Sequence, residues 1–122
     1  MTRRRLTIDK VVVGDDKPDE ELQLLQAAIN AATADTHRIV AGVPGKKIRV
    51  PNMHYRAYGT VTLTWKSGSD ALGGPEALEK GWGVSDRWAP FGYFFETAEG
   101  EDLNLELSDS VQVTGWLNYH LV

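Results

Sequence analysis

The sequence predicts an all-β fold, a sandwich or barrel of short strands, over most of its length. Three observations carry this. Leu103, Leu105 and Leu107 alternate with Asn104 and Glu106, and alternation resumes at Val111, Val113, Gly115, Leu117, Tyr119 and Leu121. Thr60–Lys66 alternates in the same way. Period-two patterning puts one set of side chains on a buried face and the other in water. Clusters of Gly, Pro, Ser and Asp then punctuate the chain at fairly regular intervals, the pattern of seven or eight short strands joined by turns.

Residues 1–35 differ from the rest and are expected to form an N-terminal extension. Leu6–Val13 has the composition of an arm strand, and Gly14–Pro18 that of a turn. A short amphipathic helix is expected from Asp19 to Ala32. Pro18 and the acids Asp19, Glu20 and Glu21 suit a first helical turn, where the helix dipole favours negative charge. Leu22, Leu25, Ile29 and Ala32 recur at three- and four-residue steps and would form one apolar stripe. Such a helix is marginal alone, so the stripe must pack on this domain's own sheet or on a neighbouring molecule.

The β domain is expected over residues 36–122. His37–Ala41 and Lys46–Val50 flank the turn Gly42-Val43-Pro44-Gly45. Met53–Ala57 extends the second strand past Pro51, which suits an edge or a bulge better than a central position. Residues 71–92 read as loop-rich, with one helical turn at Glu76–Lys80. Tyr93–Thr97 is the next strand, and Asp102–Val122 is expected to be a terminal hairpin turning at Ser108-Asp109-Ser110.

At 122 residues the chain has the length of one domain, and its 42% apolar and 25% charged residues are ordinary for a globular protein. No apolar stretch approaches the ~20 residues of a membrane span. The basic start Met1-Thr2-Arg3-Arg4-Arg5 lacks the apolar core of a secretory signal, so export is not indicated. Cysteine is absent, which removes disulfides, thiol nucleophiles and thiolate metal sites. A net charge of −4 argues against nucleic acid as the main partner.

The stretches His37–Val50, Gly59–Ser69, Pro90–Leu105 and Val111–Tyr119 resemble a family of small phage and prophage virion proteins. The resemblance runs from Thr36 to Val122 and implies a jelly-roll β-sandwich. It implies a setting similar to that of the trimeric cement, or decoration, proteins on tailed-phage heads. Related modules also occur in tail fibres, so the resemblance does not separate head from tail. It brings no catalytic or ligand-binding residues with it.

Reactive constellations are sparse. His37, His54 and His120 have no spacing that demands convergence on a metal. Glu96, Glu99, Glu101, Asp102, Glu106 and Asp109 lie in a stretch without basic residues. Calcium coordination and a paired-carboxylate glycosidase site are the functional readings of that cluster. A solvated strand face whose charge guards a sheet edge is the plainer one. There is no Gly-x-Ser-x-Gly elbow and no zincin helix, so an enzyme is not expected, nor a cofactor or metal.

Partner-binding candidates are Arg3, Arg4 and Arg5, the stripe Leu22, Leu25 and Ile29, and the loop aromatics Trp82 and Trp88. The extension is the expected anchor. Trp82, Trp88, Phe91 and Tyr93 suit either stacking on sugars or a partner's pocket, or packing at one end of the sandwich. The expected function is a capsid decoration protein, a homotrimer on the capsid exterior. It would bind across major capsid protein subunits without engaging nucleic acid or membrane. The alternative is a carbohydrate- or receptor-binding module of a tail fibre or baseplate.

Overall fold

Alternation of the kind seen at Leu103–Leu107 needs two buried faces to meet, and two sheets supply them. The computed structural model describes residues 10–12, 21–89 and 92–122. These contain β1 (Lys10–Val12), β2 (Glu21–Gln23), β3 (Leu25–Ala31), β4 (Thr36–Val40), β5 (Ile48–Ala57) and β6 (Val61–Ser67). β7 (Asp70–Ala71), β8 (Glu76–Leu78), β9 (Gly83–Trp88), β10 (Phe95–Glu96), β11 (Leu103–Leu107) and β12 (Val113–Leu121) follow.

The fold is a β-sandwich of two antiparallel sheets. One sheet runs β3-β12-β5, with both β9 and β10 on the far edge of β5. The other runs β4-β11-β6, with both β7 and β8 on the far edge of β6. β1 and β2 form a separate two-stranded ladder. Val61, Leu63 and Trp65 of β6 and Leu103, Leu105 and Leu107 of β11 point inward. They meet Ile48, Val50, Met53, Tyr55, Val113, Leu117 and Ile29 of the opposite sheet in one core. Each fully buried Leu or Ile contributes about 1.5–3 kcal/mol by leaving water.

Residues 21–31 are strands and not the expected helix; Asp19 and Glu20 lie outside the described residues. The stripe at helical spacing coincides with an alternation that decides the matter. Leu25, Ala27, Ile29 and Ala31 turn inward while Gln26, Ala28 and Asn30 face out. β3 pairs with β12 over seven positions, from Val113↔Ala31 to Tyr119↔Leu25. A ladder partner of that length overrides a short helix's modest propensity. The sheet therefore begins N-terminal of residue 36.

The expected terminal hairpin is also corrected. β11 and β12 lie in different sheets, so Ser108-Asp109-Ser110 bridges the sandwich. The same holds for the turn Gly42–Gly45 between β4 and β5. Glu76–Leu78 is a strand on β6 where a helical turn was expected, and the loop-rich stretch contains β8 and β9. Pro51 sits in a central strand. Its missing N–H falls where the β5–β12 register shifts, between Asn52↔Asn118 and Arg49↔His120, so the expected bulge is present. Of Tyr93–Thr97 only Phe95–Glu96 is strand, although Phe94 and Thr97 also donate to β5, at the carbonyls of Val50 and Ile48.

Candidate functional site

The site is built on β5, whose outward side chains are Arg49, His54 and Arg56. β9 lies along β5 with a register shift between Met53 and Tyr55. At that shift Asp86 adopts φ +43°, a left-handed conformation that Asp tolerates better than most residues. Its N–H donates to His54 Nδ1 (3.1 Å) and its Oδ1 accepts from Asn52 Nδ2 (3.2 Å). Asn52, fully buried, also donates to the Arg87 carbonyl and accepts from Asn118 Nδ2 (2.6 Å). His54 in turn stacks on Trp116, ring centroids 5.3 Å apart. A polar network centred on the buried Asn52 holds β9 in one register.

Two glycines allow the close fit. A Cβ at Gly83 would run into the Tyr55 carbonyl oxygen, and one at Gly115 into the His54 carbonyl oxygen. β9 and β12 thus press on the same short stretch of β5 from either side.

The ends of this clamped strand carry Trp82 and Trp88, 55% and 53% exposed. Tyr93, 41% exposed, follows on the β10 side, its ring 4.6 Å beneath the Arg49 guanidinium. Trp82 lies beside Arg56, Trp88 pairs with Asn52, and Tyr93 meets Arg49. Those three positions on β5 span about 23 Å at ~3.3 Å per residue. Single exposed apolar residues are ordinary, but three large aromatics along one edge make it the candidate contact surface.

Trp82 is fixed by backbone bonds. Its N–H donates to the Glu79 carbonyl (2.9 Å), and its carbonyl accepts from Ala57 N–H (2.8 Å). Beside it opens a cleft of about 450 Å³ that includes Arg56, Ser85 and Glu76 in its walls. The Arg56 guanidinium donates to the Gly81 carbonyl (3.1 Å) and to Ser85 Oγ (3.2 Å).

A second cleft, of about 400 Å³, opens between the sheets where Met53, Leu63, Trp65, Val84 and Phe94 line it. Glu76 borders both clefts. Its Oε1 accepts the Tyr55 hydroxyl. Burial, then the hydrogen bond to Glu76 and its negative charge, push the Tyr55 phenol well above its ordinary range. The buried Trp65 indole N–H makes no hydrogen bond of normal geometry.

Most of the acidic stretch is taken up by the scaffold. Glu101 Oε1 accepts from Ser67 Oγ (2.6 Å), Asp102 Oδ1 from Gly42 N–H (2.6 Å), and Asp109 Oδ2 from Ser108 Oγ (2.8 Å). Glu96 pairs with Arg49 (2.7 Å) and Glu106 with Lys66 (3.1 Å). Among the described residues no group of three or more His, Asp or Glu is placed to hold a metal ion. His37 Nε2 meets the Thr33 carbonyl, and His120 Nδ1 meets the Gln23 carbonyl. The histidines thus have separate local partners.

Of the partner-binding candidates, Trp82 and Trp88 are on the surface, Trp82 just before β9 and Trp88 at its last position. Ile29 is buried in the core and so is not available to a partner, and Leu25 is half-buried on the same face of β3. Leu22 lies in β2, and Arg3, Arg4 and Arg5 lie outside the described residues. Arg56, Ser85 and Glu76 were not singled out by sequence. Their convergence depends on the β5–β9 and β6–β8 pairings, and no local pattern records it. No helix of the described residues is long and apolar enough to cross a membrane. No protein-family model, curated protein or solved structure matches this chain.

Proposed function

We propose that the sandwich is a jelly roll and that the protein decorates the outside of a tailed-phage capsid, binding across major capsid protein subunits as a homotrimer. The strand pairings support the fold reading. Folding the chain as a ribbon pairs β3 with β12, β4 with β11, β5 with β9 and β10, and β6 with β7 and β8. Wrapping that ribbon sets β12 beside β5 and β11 beside β6, the two-Greek-key order of a jelly roll. The stretches that resemble phage virion proteins fall on β4, β5, β6, β10, β11 and β12.

The observation that carries the docking role is the aromatic row Trp82, Trp88 and Tyr93 on a clamped edge. Trp and Tyr give large contact area at low entropic cost, and they dominate interface energetics. A decoration protein acts mechanically. It binds the assembled shell, so parting the shell also breaks its contacts, each interface covering ~800 Å² per partner.

Densitometry of purified particles tests this reading. A copy number on the scale of the major capsid protein is expected, and one on the scale of tail proteins refutes it. The double variant Trp88→Ala/Tyr93→Ala should bind bare heads about tenfold more weakly or worse. A second reading, a glycan- or receptor-binding module of a tail fibre or baseplate, is favoured by the polar cleft beside Trp82.

A further inference from the structure

We infer that the cleft formed by Trp82, Arg56, Glu76 and Ser85 is a binding subsite for one neutral sugar ring. It borrows the chemistry of the glycan reading but does not depend on where the protein resides. The cleft is lined by an indole that remains more than half exposed and by the polar residues Arg56, Glu76 and Ser85. An indole face offers a stacking surface to the apolar C–H face of a pyranose.

The polar groups select the class of ligand. Arg56 only donates hydrogen bonds, and an ionised Glu76 only accepts them. A vicinal pair of hydroxyls satisfies both, because each hydroxyl donates and accepts. A carboxylate or phosphate would suit Arg56 but set like charge against Glu76, so the cleft disfavours acidic sugars and phosphates.

The site is also preorganised. Two neutral groups, the Gly81 carbonyl and Ser85 Oγ, hold the guanidinium without cancelling its charge. The Tyr55 hydroxyl fixes one oxygen of Glu76 and leaves Oε2 as the acceptor. Backbone bonds to Glu79 and Ala57 fix where Trp82 leaves the chain. The Arg56 and Glu76 side chains then have little entropy left to lose on binding. Trp88, at the other end of β9, does not line this cleft, which makes it the internal control.

The test is saturation-transfer NMR, with tryptophan fluorescence titration, using the methyl glycosides of glucose, galactose, mannose and N-acetylglucosamine. The methyl glycoside of sialic acid serves as the charged comparison. At least one neutral glycoside should bind the intact chain, with millimolar Kd. Trp82→Ala and Arg56→Gln should each weaken binding about tenfold or more, and Trp88→Ala should leave it unchanged. Near-UV circular dichroism checks that the variants keep the fold. Absence of transfer from every neutral glycoside overturns the subsite. So does binding that survives Trp82→Ala, or a preference for the sialoside. None of these outcomes decides the decoration reading, which is tested separately by copy number and by the Trp88→Ala/Tyr93→Ala variant.

Discussion

The two sheets divide the work of this molecule. In the β4-β11-β6 sheet the β11–β6 pairing runs without a shift, Val61, Leu63, Trp65 and Ser67 buried along β6 and Leu103, Leu105 and Leu107 along β11. The register shift at Leu103/Asn104 lies on the β4 side. The β3-β12-β5 sheet is interrupted by register shifts on both sides of β5, a buried Asn52 and a left-handed Asp86. That irregular sheet bears Trp82, Trp88 and Tyr93. Regular alternation maximises apolar burial and leaves a bland outer face. Shifts in register re-aim side chains, and the buried amide network supplies the stiffness that the lost ladder bonds would have given.

The largest effects should come from the shared core. Leu105→Ala and Leu117→Ala, one from each sheet and both fully buried, should each lower stability by about 2–5 kcal/mol in urea unfolding. A loss confined to Leu105→Ala would break the comparison, since it would mean that the irregular sheet contributes little to folding. Next comes Gly115→Ala, which drives a methyl group into the His54 carbonyl. A loss of about 1–3 kcal/mol is expected, read by urea unfolding, with weaker docking because the β5–β9 edge shifts with it.

His120 sharpens the comparison through pH. Burial lowers its pKa from the ordinary 6.5, the Gln23 carbonyl opposes that shift, and the nearby Arg49 charge adds to it. The folded ring therefore resists the proton that the unfolded chain accepts. Stability should be unaffected above the unfolded value and fall as pH drops below it, until the folded ring is protonated too. His120→Gln should flatten that slope between pH 7 and 5, measured by urea unfolding at each pH. An unchanged slope would assign the acid sensitivity to other groups. The smallest effect on stability belongs to the surface row. Trp88→Ala should shift stability by no more than about 0.5 kcal/mol while weakening docking, and a larger loss would make the row structural.

Much of the fold was legible because it is written locally. Alternation at Thr60–Lys66 and Leu103–Leu107 marks which side chains go inside whatever they pair with. Pro51 announced its bulge because a residue without an N–H cannot complete the ladder. The misreadings share one cause. Leu22, Leu25, Ile29 and Ala32 fit a helix, and Leu25, Ala27, Ile29 and Ala31 fit a strand; only β12, more than eighty residues away in the chain, decides between them. The turn Ser108-Asp109-Ser110 likewise serves a hairpin or a bridge between sheets, according to partners that it does not itself specify. At the site, Trp82 and Trp88 stood out by composition, whereas Arg56, Ser85 and Glu76 are ordinary surface residue types until the strands bring them together.

By itself, then, the sequence determined that the chain is all-β through its C-terminal half and which faces of those strands are apolar. These follow from the two-residue period of the extended backbone. Only the tertiary structure decided which sheet each strand joins, that residues 21–31 extend rather than coil, and that a tryptophan, an arginine and a glutamate share one cleft. Hydrogen-bond ladders join segments remote in the chain, and a side chain's neighbours across a ladder are set by register, which no single segment encodes.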